Sequence, residues 1–68
     1  MTTVAKVIEV SSSSSKSIED AVQGGLTRIS RTVKNIRGAW VNDIKCITAD
    51  DGRITEWRVN MRVNFIVD

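Results

Sequence analysis

Alternation of apolar and polar residues between Ile54 and Val67 constrains the fold of this chain more than any other feature. Successive side chains of a β-strand point to opposite faces of its sheet. The alternation therefore predicts a long third strand with one face against the rest of the chain and one polar face. The apolar set is Trp57, Val59, Met61, Val63, Phe65 and Val67, and the polar set is Arg58, Asn60, Arg62 and Asn64.

Two further strands are predicted from composition. Residues 4–10 are mostly β-branched and form a short run, which favours a first strand. Residues 39–48 have the composition of a second strand, and Asp51-Gly52 between the second and third runs is a strong hairpin signal. The predicted bounds are 4–10, 39–48 and 54–67.

One amphipathic helix is predicted over residues 16–36. Its apolar residues recur at spacings of three, four and seven, and Gly38 follows as a candidate C-cap. The serine run 11–15 precedes the helix and is interpreted as a solvated loop that ends in an N-cap. The apolar stripe consists of Ile18, Ala21, Val22, Ile29, Val33 and Ile36.

The usual rules for connections between strands and helices predict an α+β fold from these elements. A hairpin makes strands two and three antiparallel neighbours, and a right-handed crossover links strands one and two. The predicted architecture is β-α-β-β, a three-stranded antiparallel sheet curled around one long helix with strand three in the centre. A helix of 20 residues is about 30 Å long and a strand of 13 residues about 43 Å, so the hairpin overhangs. Open sheet edges and an overhanging hairpin favour a closed oligomer.

Chain length also favours association. A domain near 68 residues buries only about 60% of its unfolded surface. With one cysteine, Cys46, and no histidine, neither an intrachain disulfide nor a Cys/His zinc site can form. We therefore expect residues 1–68 to form a single domain whose core is completed by other copies. Cys46 itself is expected to be a small buried apolar residue.

Charge and motifs exclude several functional classes. The net charge of +2 is spread over interspersed basic and acidic residues, without the basic block that binds nucleic acid. A lone cysteine, no signal-like segment and no long apolar run predict a cytoplasmic protein that does not span a membrane. No nucleophile-base pair can involve histidine, so a non-enzymatic role is predicted.

The order strand, serine-rich turn, helix and long hairpin resembles the dodecin family. Lys6-Val7-Ile8-Glu9, the helical segment from Ser17 to Leu26 and Arg62-Val63-Asn64-Phe65 carry the resemblance, which extends from Val4 to Asp68. It implies a hollow homododecamer built from trimers. It also implies binding of riboflavin or FMN between subunits, for storage or sequestration without catalysis.

The resemblance also suggests where a ligand would bind. Flavin-binding members have a tryptophan that stacks on the isoalloxazine ring just after the helix, and a glutamine on the last strand. Those positions fall on Gly38 and Arg58 in this chain. Trp40 lies two residues beyond Gly38, on the same face of a regular strand and about 7 Å further along. The candidate ligand-binding residues are Gly38, Trp40 and Arg58.

Alternatives remain open at this point. Trp40 can equally be a packing or interface residue. The ladder of Arg58, Asn60, Arg62 and Asn64 can be a solvated face, a cavity lining or a subunit interface with Glu9, Asp43 or Glu56 as partners. The second functional hypothesis is an assembly without flavin that has a structural role, a bound cation at a symmetry axis or an anionic metabolite as ligand. An arginine in place of glutamine favours an anionic ligand.

Overall fold

The computed structural model describes residues 1–67, so Asp68, the last residue of the predicted domain, lies outside the described residues. Its elements are β1 (Val4–Ser14), α1 (Ile18–Ile29), β2 (Ile36–Thr48) and β3 (Ile54–Val67). The strands form one antiparallel sheet in the order β1-β3-β2. The predicted β-α-β-β architecture with a central third strand is confirmed.

Helix α1 is shorter than predicted. It begins after Ser17, whose hydroxyl accepts a hydrogen bond from the Asp20 amide at 2.9 Å, and it ends at Ile29 with Ser30 as C-cap. The prediction of a helix to residue 36 with Gly38 as C-cap is wrong. The chain turns after Ile29, reaches φ 63° at Asn35 and enters β2, which contains Gly38. Val33 continued the helical spacing only by coincidence, because it lies in this turn.

The serine run belongs largely to the sheet. Residues 11–14 extend β1 and pair with residues 60–57 of β3, so the prediction that they form a solvated loop is wrong. Ser12 and Ser14 share the face that the helix covers, and Ser14 is buried. The N-cap is Ser17, three residues after the strand ends.

A small core lies between α1 and the centre of the sheet. Val59, Met61 and Val63 of β3 are at most 1% exposed, and Ala21 and Gly25 are the buried helix residues. We call this covered side of the sheet the inner face, and the opposite side, which carries the polar residues of β3, the outer face. The predicted alternation of β3 is therefore confirmed at its centre.

Strand β2 is left largely uncovered because α1 packs on β1 and β3. Val41 and Ile44 lie opposite Met61 and Val59, on the inner face, yet they are 42% and 53% exposed. Cys46 is also exposed, so the expectation of a buried cysteine is wrong for the single chain.

The chain is strongly elongated, as the lengths of its elements predicted. Its principal extents are 56 × 20 × 13 Å and its radius of gyration is 14.2 Å. A compact chain of this length would have a radius of gyration of about 11 Å. The excess arises because the β2–β3 hairpin extends beyond the 12-residue helix.

Candidate site on the outer face of the sheet

Sheet register brings Gly38, Trp40 and two residues of β3 together on the outer face. Gly38 lies opposite Asn64, and Trp40 lies opposite Arg62. Directly opposed residues of an antiparallel pair share a face, with Cβ atoms about 4.5–5.5 Å apart. The prediction that Trp40 shares the face of Gly38 is therefore confirmed.

Trp40 offers an aromatic ring to solvent. It is 58% exposed, which is unusual for a side chain that buries so much apolar area when it is packed. It borders a shallow depression of about 530 Å³, within the range of small-molecule sites. The depression is lined by Val7, Trp40, Asn42 and Arg62.

Gly38 lies at the edge of this site and has little room for a side chain. A Cβ atom built on Gly38 would lie 3.3 Å from the Oδ1 atom of Asn64. That distance is tighter than an ordinary van der Waals contact, so any larger residue at position 38 requires Asn64 to move. The space that a stacking ring at position 38 would need is thus partly taken by Asn64.

Arg58 lies elsewhere on the outer face and is already engaged. Its Nη2 is 3.1 Å from Glu56 Oε2, and its Nε donates a hydrogen bond of 3.2 Å to Ser13 Oγ. It is four residues from Arg62 along β3, a separation of about 13 Å. Within one chain, Arg58 therefore lies too far from Gly38 and Trp40 to share a ligand with them. Their joint role as ligand-binding residues stays a prediction, and it requires that a second copy of the chain bring them together.

Arg62 is the residue of this site that sequence reasoning did not single out. The alternation of β3 placed it on the polar face, but only the pairing register with β2 reveals that it lies beside Trp40. That register depends on irregularities in β2 at Ile36/Gly38 and Val41/Asp43. Such bulges have no reliable signal in a single sequence.

Acidic residues of the outer face do not form a metal cluster within one chain. A second depression is lined by Glu9, Asp43, Asn60, Arg62 and neighbouring residues. Over the described residues 1–67, however, no three His, Cys, Asp or Glu side chains are grouped as metal ligands would be. The predicted cation and the interface role of the polar ladder stay predictions. Of the suggested acidic partners, Glu56 pairs with Arg58 inside the chain.

Helix α1 is not long and apolar enough to cross a membrane, nor is any other helical segment within residues 1–67.

Comparison with protein families gives a match to the family described as Dodecin over residues 4–68. This chain belongs to the dodecin family. The match covers nearly all of the sequence and agrees with the fold, because solved dodecin structures share that fold. Comparison with curated proteins gave no match.

Solved dodecin structures superpose on nearly the whole chain. The dodecin from Streptomyces davaonensis has a TM-score of 0.91 at 26% identity, over 100% of this chain and 98% of that one. The tt0972 protein from Thermus thermophilus has a TM-score of 0.90 at 25% identity, over 98% and 97%. An arginine-to-alanine variant of the T. thermophilus dodecin has a TM-score of 0.91 at 25% identity, over 98% of each chain.

Proposed function

We propose that this dodecin is a self-assembling, non-catalytic protein that binds riboflavin or FMN and stores or sequesters it. The observation that carries the proposal is the exposed indole of Trp40 on the outer face, beside a depression and two residues from the position where the family resemblance implies a stacking tryptophan. An isoalloxazine ring is planar and aromatic, and offset stacking on an indole would bury both rings. Trp40 thus takes the stacking role that Gly38 cannot fill.

Assembly into a homododecamer built from trimers is the second part of the proposal. It is supported by family membership, by the elongated shape of the chain and by the uncovered apolar residues of β2. Because Gly38, Trp40 and Arg58 do not meet within one chain, a ligand that contacts all three must lie between copies. A cytoplasmic location is proposed from the sequence alone.

Titration of riboflavin into the assembled protein tests flavin binding. We expect flavin emission to be quenched, because stacking on an indole quenches the ring. Trp40→Ala should abolish the quenching, and Trp40→Phe should retain part of it because a ring is still present. Trp57→Phe is the matched control, since Trp57 lies on the inner face opposite Cys46. Unchanged emission with the native protein, at a concentration where it is assembled, would contradict the proposal.

A dodecin assembly without flavin is the second candidate function, with a structural, ion-binding or anionic-metabolite-binding role. It is favoured by one observation: Arg58 occupies the position that the resemblance assigns to a ring-binding glutamine, and Glu56 and Ser13 hold its guanidinium. This alternative predicts a colourless dodecamer. Copurification of a yellow ligand with the native protein would exclude it.

A further inference from the structure

The two arginines of the outer face differ in what their guanidinium groups contact. Arg58 is held by Glu56 and Ser13. Arg62 is exposed, and within residues 1–67 its side chain makes no hydrogen bond and no ion pair. An arginine with all five N–H donors available is free to bind a ligand group.

Arg62 lies in the middle of a row across the sheet. Trp40 of β2 is its neighbour on one side and Glu9 of β1 on the other. Glu9 lies directly opposite Arg62 in the sheet, but the two side chains form no ion pair among the described residues. Arg62 also lines the depression that Trp40 borders. The free cation and the free aromatic ring therefore face the same space.

We propose that Arg62 binds an anionic group of the ligand that stacks on Trp40, so that the site prefers a flavin carrying a phosphate over neutral riboflavin. This inference rests on the flavin-binding function proposed above and adds the charge of the ligand to it. A guanidinium matches the geometry of a phosphate through two parallel hydrogen bonds. A ring carbonyl could accept a hydrogen bond from the same group, but that contact would not distinguish FMN from riboflavin.

Nearby charges set the strength of this preference. Glu9 and Asp43 are the carboxylates on the same face around Arg62, while Lys45 and Arg58 form a positive row two pairs further along. Glu9 is adjacent to Arg62 and would repel a bound phosphate. This repulsion lowers the preference for FMN. The preference is also small because the site is open to solvent, where a single ion pair is weak.

Parallel titrations of riboflavin and FMN, at low ionic strength and followed by flavin emission, test the role of Arg62. We expect the native protein to bind FMN about fivefold more tightly than riboflavin, the effect of one exposed ion pair. Arg62→Gln should remove that difference and leave riboflavin binding nearly unchanged. Arg53→Gln is the matched control, because Arg53 is an exposed arginine at the turn between β2 and β3, outside the candidate site, and it should preserve the ratio of the two affinities.

Two further measurements separate charge from shape. Glu9→Gln should tighten FMN binding about threefold without a matching change for riboflavin, because a neighbouring negative charge is lost. Added salt should weaken FMN binding and leave riboflavin binding nearly constant. Quenching by both flavins with the same affinity ratio in the native protein and Arg62→Gln would overturn the assignment of Arg62 alone. No quenching by either flavin would overturn the proposed function, and the role of Arg62 with it.

Discussion

Gly24 and Gly25 are adjacent helix residues with opposite surroundings. A Cβ atom on Gly25 would lie 2.7 Å from Met61 Cε and 3.0 Å from Ser12 Cβ, whereas one on Gly24 would meet nothing within 4 Å. The helix therefore approaches the sheet through Gly25. Alanine would gain about 1 kcal/mol of helix propensity at either position, so any difference between the two substitutions reports packing against the sheet.

We predict that Gly25→Ala lowers the free energy of unfolding by about 1 kcal/mol, because overpacking outweighs the gain in helix propensity. Gly24→Ala is the matched control and should raise it by about 0.5–1 kcal/mol. Urea denaturation at one fixed protein concentration measures both, since assembly makes the apparent stability depend on concentration. Equal stabilisation by the two substitutions would show that the close approach at Gly25 does not constrain the fold.

Gly38 and Asn64 form a second pair in which one residue restricts the other. The oxygen of Asn64 lies 3.3 Å from where a Cβ of residue 38 would be. We predict that Gly38→Trp combined with Asn64→Gly binds riboflavin about tenfold more tightly than the native protein, a gain within the range of a well-placed aromatic contact. Riboflavin titration of the double variant measures this affinity.

The single variants identify the cause of that gain. Gly38→Trp alone should bind more weakly than the double variant, because Asn64 must then be displaced. Asn64→Gly alone should bind like the native protein. A double variant no better than Asn64→Gly would show that position 38 no longer borders a flavin site in this chain.

The junction between β1 and α1 depends on one of five consecutive serines. The hydroxyl of buried Ser14 donates to Asp20 Oδ2 at 2.6 Å and accepts from the Lys16 amide at 2.9 Å. It thereby ties the end of the strand to the first turn of the helix. Ser15, the next residue, is exposed.

We predict that Ser14→Ala lowers the free energy of unfolding by about 1–3 kcal/mol, because it removes two part-buried hydrogen bonds, one of them to a carboxylate. Ser15→Ala should change it by no more than about 0.5 kcal/mol. Thermal or urea unfolding of the two variants under identical conditions is the measurement. Similar small effects from both would mean that the serine run acts only as a spacer before the N-cap.

Element types and their order could be predicted from the sequence, because strand alternation, helical spacing and the Asp-Gly turn are local signals. The residue at which α1 ends could not be predicted in this way. Val33 and Ile36 fit the helical period, and only the backbone at Asn35, with φ 63°, shows that the chain has turned. The strand conformation of residues 11–14 has no local signal, because it depends on pairing with β3, a contact between residues distant in sequence.

The candidate site was predictable to a similar extent. The face of Trp40 followed from strand periodicity and its position after Gly38, whereas its exposure in the single chain is seen only in the structure. The engagement of Arg58 by Ser13 and the placement of Arg62 beside Trp40 required the pairing register. Bulges in β2 shift that register, so residue spacing alone could not place these side chains relative to one another.

The whole molecule presents apolar residues that its own helix cannot cover. Val41 and Ile44 lie on the inner face of β2, beyond the reach of α1, and both remain exposed in the single chain. Burying such side chains contributes about 1.5–3 kcal/mol each, a large share of the stability of a domain this small. Another copy of the chain can supply that burial.

We therefore predict that Ile44→Lys converts the assembly into monomers or small oligomers, because it would place a charge without a partner inside an apolar contact. Native mass spectrometry, or light scattering coupled to size exclusion, distinguishes these species. Lys45→Gln is the matched control: Lys45 is the next residue, points to the outer face opposite Arg58, and loses a charge rather than gaining one. If Ile44→Lys retained the native mass, the uncovered strip of β2 would not be a contact between subunits, and the assembly would have to be held together through the outer face or the sheet edges.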